Sequence, residues 1–190
     1  MRRRIEVRVQ GGRRKSGRRR MLRIAARLLI ITSISYYGGC RTQPPVVEEV
    51  QGVRVSDALY TGDAARRASV RLVVQGLDAD SRGQSRRARG SYERAVQVDP
   101  TNPYAYLALA RYHLDGDNPR EAANFIDQAA AFFEVEGMRS SEVDVHLIGL
   151  RGWLFESRGR PGEAAPYLDR AAALEPEIWG DGYLSARELR

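Results

Sequence analysis

A single cysteine, Cys40, stands among 190 residues, so no internal disulfide can form and thiol content does not report the redox compartment. Histidine is almost as scarce. His113 and His146 lie 33 residues apart with no cysteine near either, which excludes a zinc-type cluster. No phosphate-cradling glycine loop, serine or cysteine nucleophile motif, or paired-carboxylate constellation stands out, so neither catalysis nor a bound cofactor is expected. The run Asp115-x-Asp117-x-Pro119-x-Glu121 has a faint look of a calcium loop but lacks the remaining ligands, and it reads as a solvated turn. Long apolar runs are missing too. Leu28 to Tyr37 is a ten-residue stretch, and ten helical residues rise about 15 Å, half the hydrocarbon thickness, so a permanent spanning helix is not expected.

What is abundant is arginine, and it is unevenly placed. Residues 1–39 hold twelve Arg or Lys against one acid, Glu6, a charge of +11. With a net charge of +7 for the chain, residues 40–190 therefore carry −4. A basic arm and a mildly acidic body are separate objects, and the overall positive charge says nothing about partners of the body. No aromatic residues are interleaved in the arm to stack on bases, so nucleic acid is not expected to bind the mature domain.

The order basic, apolar, small recurs from Met21 onward. Arg23 and Arg27 come first, then Leu28 to Tyr37, then Gly38-Gly39 and Cys40. This is the order of a secretory signal peptide. A small pair ending in cysteine resembles the lipobox of bacterial lipoproteins, with Tyr37 where that family favours Leu, Val or Ile. The resemblance implies that the Cys40 thiol receives a diacylglycerol and becomes the mature N-terminus. It implies a bacterial envelope protein held by lipid, and Arg41 after the cysteine points by family analogy to the outer membrane, facing the periplasm. Residues 1–20 then look surplus. Either Met21 is the true start, or Arg18-Arg19-Arg20-Met21-Leu22-Arg23 forms a loose twin-arginine export signal. The segment 40–62, with Pro44-Pro45 and Glu48-Glu49 and no helical period, reads as a flexible linker.

Residues 63–190 repeat internally. Gly76, Ala110 and Gly152 correspond, as do Ala88, Ala122 and Ala164, and Ala95, Ala129 and Ala171. In each set the first step is 34 residues and the second 42, so eight residues are inserted before the third unit. Gly83, Asp117 and Gly159 share a further position. Small side chains at a fixed period are what two antiparallel helices need at a close crossing, with larger residues such as Leu72 and Tyr92 filling the gaps beside them. Glycine between helices supplies a positive φ at little cost. Phe132, Phe133 and Val135 predict a second-unit helix that runs past its usual end, Gly137 breaks it, and Ser140-Ser141-Glu142 can start the next helix early.

A 34-residue period with this order of small, aromatic and proline positions resembles the tetratricopeptide repeat, or TPR. The units are 69–102, 103–136 and 145–178, followed by a cap at 179–190 (YLSARELR forming a short helix over the third unit). The resemblance implies an all-α fold, a short right-handed α-solenoid of about three helix pairs, with an interaction role rather than an enzymatic one. It also implies a concave groove lined by the first helix of each unit. Residue by residue, that groove is Val70, Val73 and Leu77, then Tyr104, Leu107, Arg111 and Leu114, then His146, Gly149 and Trp153. An apolar groove with one arginine and an accessible tryptophan suits a protein or peptide partner, extended or helical, with an acidic group. Two departures from the family pattern are Arg151, where an apolar residue is usual, and His113, where tyrosine is usual. The expected function is a membrane-tethered scaffold, similar in architecture to the TPR lipoproteins of pilus assembly or hydrolase recruitment. The alternative is a soluble cytoplasmic TPR adaptor with a basic nucleic-acid-binding arm.

Overall fold

The computed structural model describes residues 51–190, and among these every regular element is helical. A 3-10 helix at Val55–Tyr60 precedes α1 (Ala64–Asp80), α2 (Ser85–Val98), α3 (Pro103–Asp115), α4 (Pro119–Val135), α5 (Ser141–Ser157) and α6 (Pro161–Leu174). Two four-residue helices follow, α7 (Pro176–Trp179) and α8 (Ala186–Leu189). The expected signal segment, Cys40 and the first part of the expected linker lie outside the described residues.

Local chemistry accounts for the boundaries. Asp63, Asn102 and Ser140 cap α1, α3 and α5, each side chain accepting an N–H of the first turn. Pro103, Pro119, Pro161 and Pro176 open their helices, where a missing N–H costs nothing. Gly83, Asp117 and Gly159, matched in the sequence, have φ of 72°, 52° and 71°. Each follows a helix end, and the next residue donates back across the turn: Gln84 to Ala79, Asn118 to His113 and Arg160 to Phe155. Gly137 does the same with φ 64°, after which Met138 donates to Phe133. The eight inserted residues lengthen α4 by three relative to α2, the connector by one and the start of α5 by four.

Helices α1 and α2, α3 and α4, and α5 and α6 pack as consecutive pairs, and α1, α3 and α5 lie side by side as an inner layer. The repeated alanines occupy like surroundings. Ala88, Ala122 and Ala164 are buried, and so are Ala95, Ala129 and Ala171. Gly76 and Gly152 mark close crossings within their pairs: a Cβ at Gly76 would overlap the Tyr92 ring, and one at Gly152 would lie 2.7 Å from Leu168 Cδ2. Arg66 joins the first unit to the second, ion-paired with Asp99 and bonded to Glu136 at 3.0 Å and Thr101 at 3.0 Å. Asn102 adds a buried link, donating to Ser69 Oγ, which donates to the Ala95 carbonyl. Of the two departures, Arg151 is exposed and faces Asp127 at 3.7 Å, whereas His113 is half-buried and stacks on Phe125.

Candidate functional site

The inner layer should present the groove, and every residue expected to line it is on α1, α3 or α5. All ten are buried. Val70, Val73, Leu77 and Leu107 have no exposed surface, Leu114 and Arg111 keep 3%, Tyr104 6% and Trp153 7%. The tryptophan expected to be accessible is thus covered. Its ring meets Tyr183 edge-on at 5.3 Å.

What covers this face is the chain itself, from both flanks of the repeats. After α6 the backbone turns at Gly182, φ 83°, and the following segment packs against α1 and α3. The cap expected over the third unit meets it through Trp179 and Tyr183, but its helix α8 lies across the first two. The reason is apolar: Leu184, Ala186 and Leu189 need burial, and the inner layer offers an unfilled apolar face. Ser185 and Glu188 form a capping box that holds the last turn. On the other flank, residues 51–60, expected to be part of a linker, are packed with Val55 and Ala58 buried. Ser56 N–H donates to the Arg190 carbonyl at 2.8 Å, which joins the two flanks.

His146 and Glu175 organise the third-unit end. Trp179 Nε1–H can only donate, so His146 Nδ1 at 3.2 Å is the acceptor and the proton resides on Nε2, which donates to the Val53 carbonyl at 3.0 Å. One neutral imidazole thereby holds both flanks. Burial pushes its pKa down to about 4, against the opposing bond to Val53. Glu175 Oε1 accepts the Gly52 N–H at 2.7 Å, while Oε2 is buried with no partner among the described residues. Burial raises this carboxyl above its usual range, and the Gly52 bond only partly offsets it. Gly149 is the seat of the Trp179 indole, since any Cβ there would overlap the ring.

Arg111 lies under the other end of the covering segment. It is ion-paired with Asp80, which also accepts the Tyr92 hydroxyl at 3.3 Å, and its Nη1 donates to the Leu184 carbonyl at 3.4 Å. Sequence reasoning did not single out Gly52, Val55, Glu175, Trp179, Leu184 or Leu189. The available signal was apolar residues, without a shared period, on both sides of the repeats. Among the described residues, no cluster of three His, Cys, Asp or Glu is placed to hold a metal, and no helix is long and apolar enough to cross a membrane.

The paired helices, their like alanine crossings and the inner layer define a TPR helical solenoid. A family model described as Tetratricopeptide repeat matches residues 81–134, which run from the turn before α2 to near the end of α4. Among solved structures, the N-terminal domain of stress-induced protein-1 (STI-1) from C. elegans is similar in fold, with a TM-score of 0.51. That likeness covers 67% of this chain and 98% of that one, at 18% identity. No curated protein sequence matches this chain.

Proposed function

We propose that this protein is a membrane-tethered TPR scaffold of the bacterial cell envelope, held by lipid on Cys40 and binding a protein or peptide partner. The scaffold half of the reading is carried by one observation: three stacked helix pairs with the repeat's small-residue crossings, the architecture of interaction modules. The tether half is supported by the order of residues 21–41, ending Gly38-Gly39-Cys40. Several acyl chains on one cysteine hold a protein firmly to a bilayer. Arg41 favours the outer membrane, and the −4 charge of the body suits a partner chosen by shape more than by charge.

Fractionation with intact-mass analysis tests this. Wild-type protein should partition with outer membranes and begin at a diacylglyceryl-modified Cys40, and Cys40→Ser should appear in the soluble fraction at the precursor mass. Recovery of an unmodified chain retaining the arginine-rich arm would overturn the tether and favour the cytoplasmic adaptor.

A further inference from the structure

The two segments that fill the inner face are held in different ways. The segment after α6 buries Ile178, Trp179, Leu184, Ala186 and Leu189, four of them large side chains. Residues 51–60 form a strap that buries only Gly52, Val55 and Ala58, while Arg54, Asp57 and Tyr60 face solvent. The spacing of three is that of the 3-10 helix the strap forms from Val55. Val53 and Leu59 pack half-buried against the core, and the rest of its hold is polar and runs through main-chain atoms. Gly52 N–H meets Glu175, Val53 N–H meets the Glu142 carbonyl at 3.2 Å, the Val53 carbonyl meets His146, and Ser56 N–H meets the Arg190 carbonyl. A separate peptide could make every one of these bonds.

Selectivity enters at one point. A Cβ at residue 52 would overlap Glu175 Oε2 and lie 2.6 Å from His146 Cε1, so only glycine fits there. The strap is also an incomplete ligand, because among the described residues nothing partners the buried Glu175 Oε2. A second donor at the glycine would satisfy that oxygen, and a carboxylate left half-paired in the interior favours whichever ligand completes it. Beside the strap's other end an open cleft of about 490 Å³ separates Ala58 and Thr61 from Tyr104 and Met138, room for an incoming chain to engage before the strap has left.

We propose that the strap is an intramolecular ligand, and that its slot binds a peptide of register Gly-x-x-Val-x-x-Ala, 3-10-helical from its valine as the strap is, that displaces it. This rests on the scaffold reading above, but its test needs only purified chain and peptide, so its failure would leave the fractionation result standing. The probe is the synthetic peptide GVRVSDALY, whose free amino terminus gives Glu175 the second donor. In the wild-type protein, the amides of Gly52, Val53 and Ser56 should exchange with solvent at least ~100-fold faster than those of Leu107 and Leu150, reporting strap opening without global unfolding. Gly52→Ala should loosen the strap and bind the probe at least ~10-fold tighter than wild type, because the competing occupant is weakened. The same peptide with alanine for its glycine should bind neither protein. Strap amides that exchange only with global unfolding would overturn the proposal. So would a folded Gly52→Ala chain that binds the probe no better than wild type, or an alanine peptide that binds equally well.

Discussion

His146 connects three things through one ring: the strap by Nε2–H, the covering segment by Nδ1, and α5 by its own backbone. Protonation would set Nδ1–H against the indole N–H of Trp179, two donors face to face. Because the folded pKa is about 4 and the ordinary value 6.5, the unfolded chain takes up a proton that the folded chain refuses across this window. Stability therefore falls as pH drops from 6.5 to 4, by about 3 kcal/mol for this residue. Glu175 acts in the opposite sense, since its raised folded pKa means the folded chain binds a proton first as pH falls. Urea unfolding at pH 7 and pH 4.5 checks the balance. Wild type should lose stability on acidification, and His146→Gln, neutral throughout, should lose about 2 kcal/mol less. Equal losses in both proteins would remove His146 as the source.

Between helices, the decisive quantity is how closely the axes approach. Gly76 in α1 faces the Tyr92 ring of α2, whereas a methyl group on Gly90 in α2 would meet nothing within 4 Å. The two glycines carry the same backbone entropy cost, so alanine should act oppositely at them. Gly90→Ala is expected to stabilise by about 0.5–1 kcal/mol through helix propensity. Gly76→Ala gains the same but drives Tyr92 out of its slot, for a net loss of about 1–2 kcal/mol. Thermal melts of the two variants decide it, and a gain at both would mean the α1–α2 crossing is looser than described. The lengthened α4 belongs to this scale as well: Phe133 is fully buried against Tyr104, which is why the helix continues past the usual repeat length.

Taken as a whole molecule, a bare three-unit solenoid is a one-dimensional stack in which each unit touches only its neighbours. Here the flanking segments cross that order. Arg190 pairs with Asp78 of the first unit while Trp179, eleven residues earlier, lies on Gly149 of the third. Coupling the two ends should make unfolding a single transition, instead of stepwise loss of units. Leu189 is fully buried at the far end of this crossing. Leu189→Ala should cost about 2–4 kcal/mol and shift the tryptophan-fluorescence and circular-dichroism transitions together. A loss confined to one probe would show that the covering segment folds apart from the repeats.

The repeat was legible in the sequence because close helix crossings admit only alanine and glycine, and a positive φ after a helix favours glycine or a small polar residue. Those are local steric demands, so Ala88, Ala122 and Ala164, the turns at Gly83, Asp117 and Gly159, and the break at Gly137 could be placed from residue order alone. The residues expected to line a groove lie on α1, α3 and α5, the first helices of the three pairs, for the same reason. Their covering could not be placed so. Val55 and Leu189 lie 134 positions apart and carry no period linking them to each other or to the inner helices. Only tertiary structure decided that both would be drawn onto one apolar face, where burying it outweighs the entropy of ordering the two flanks.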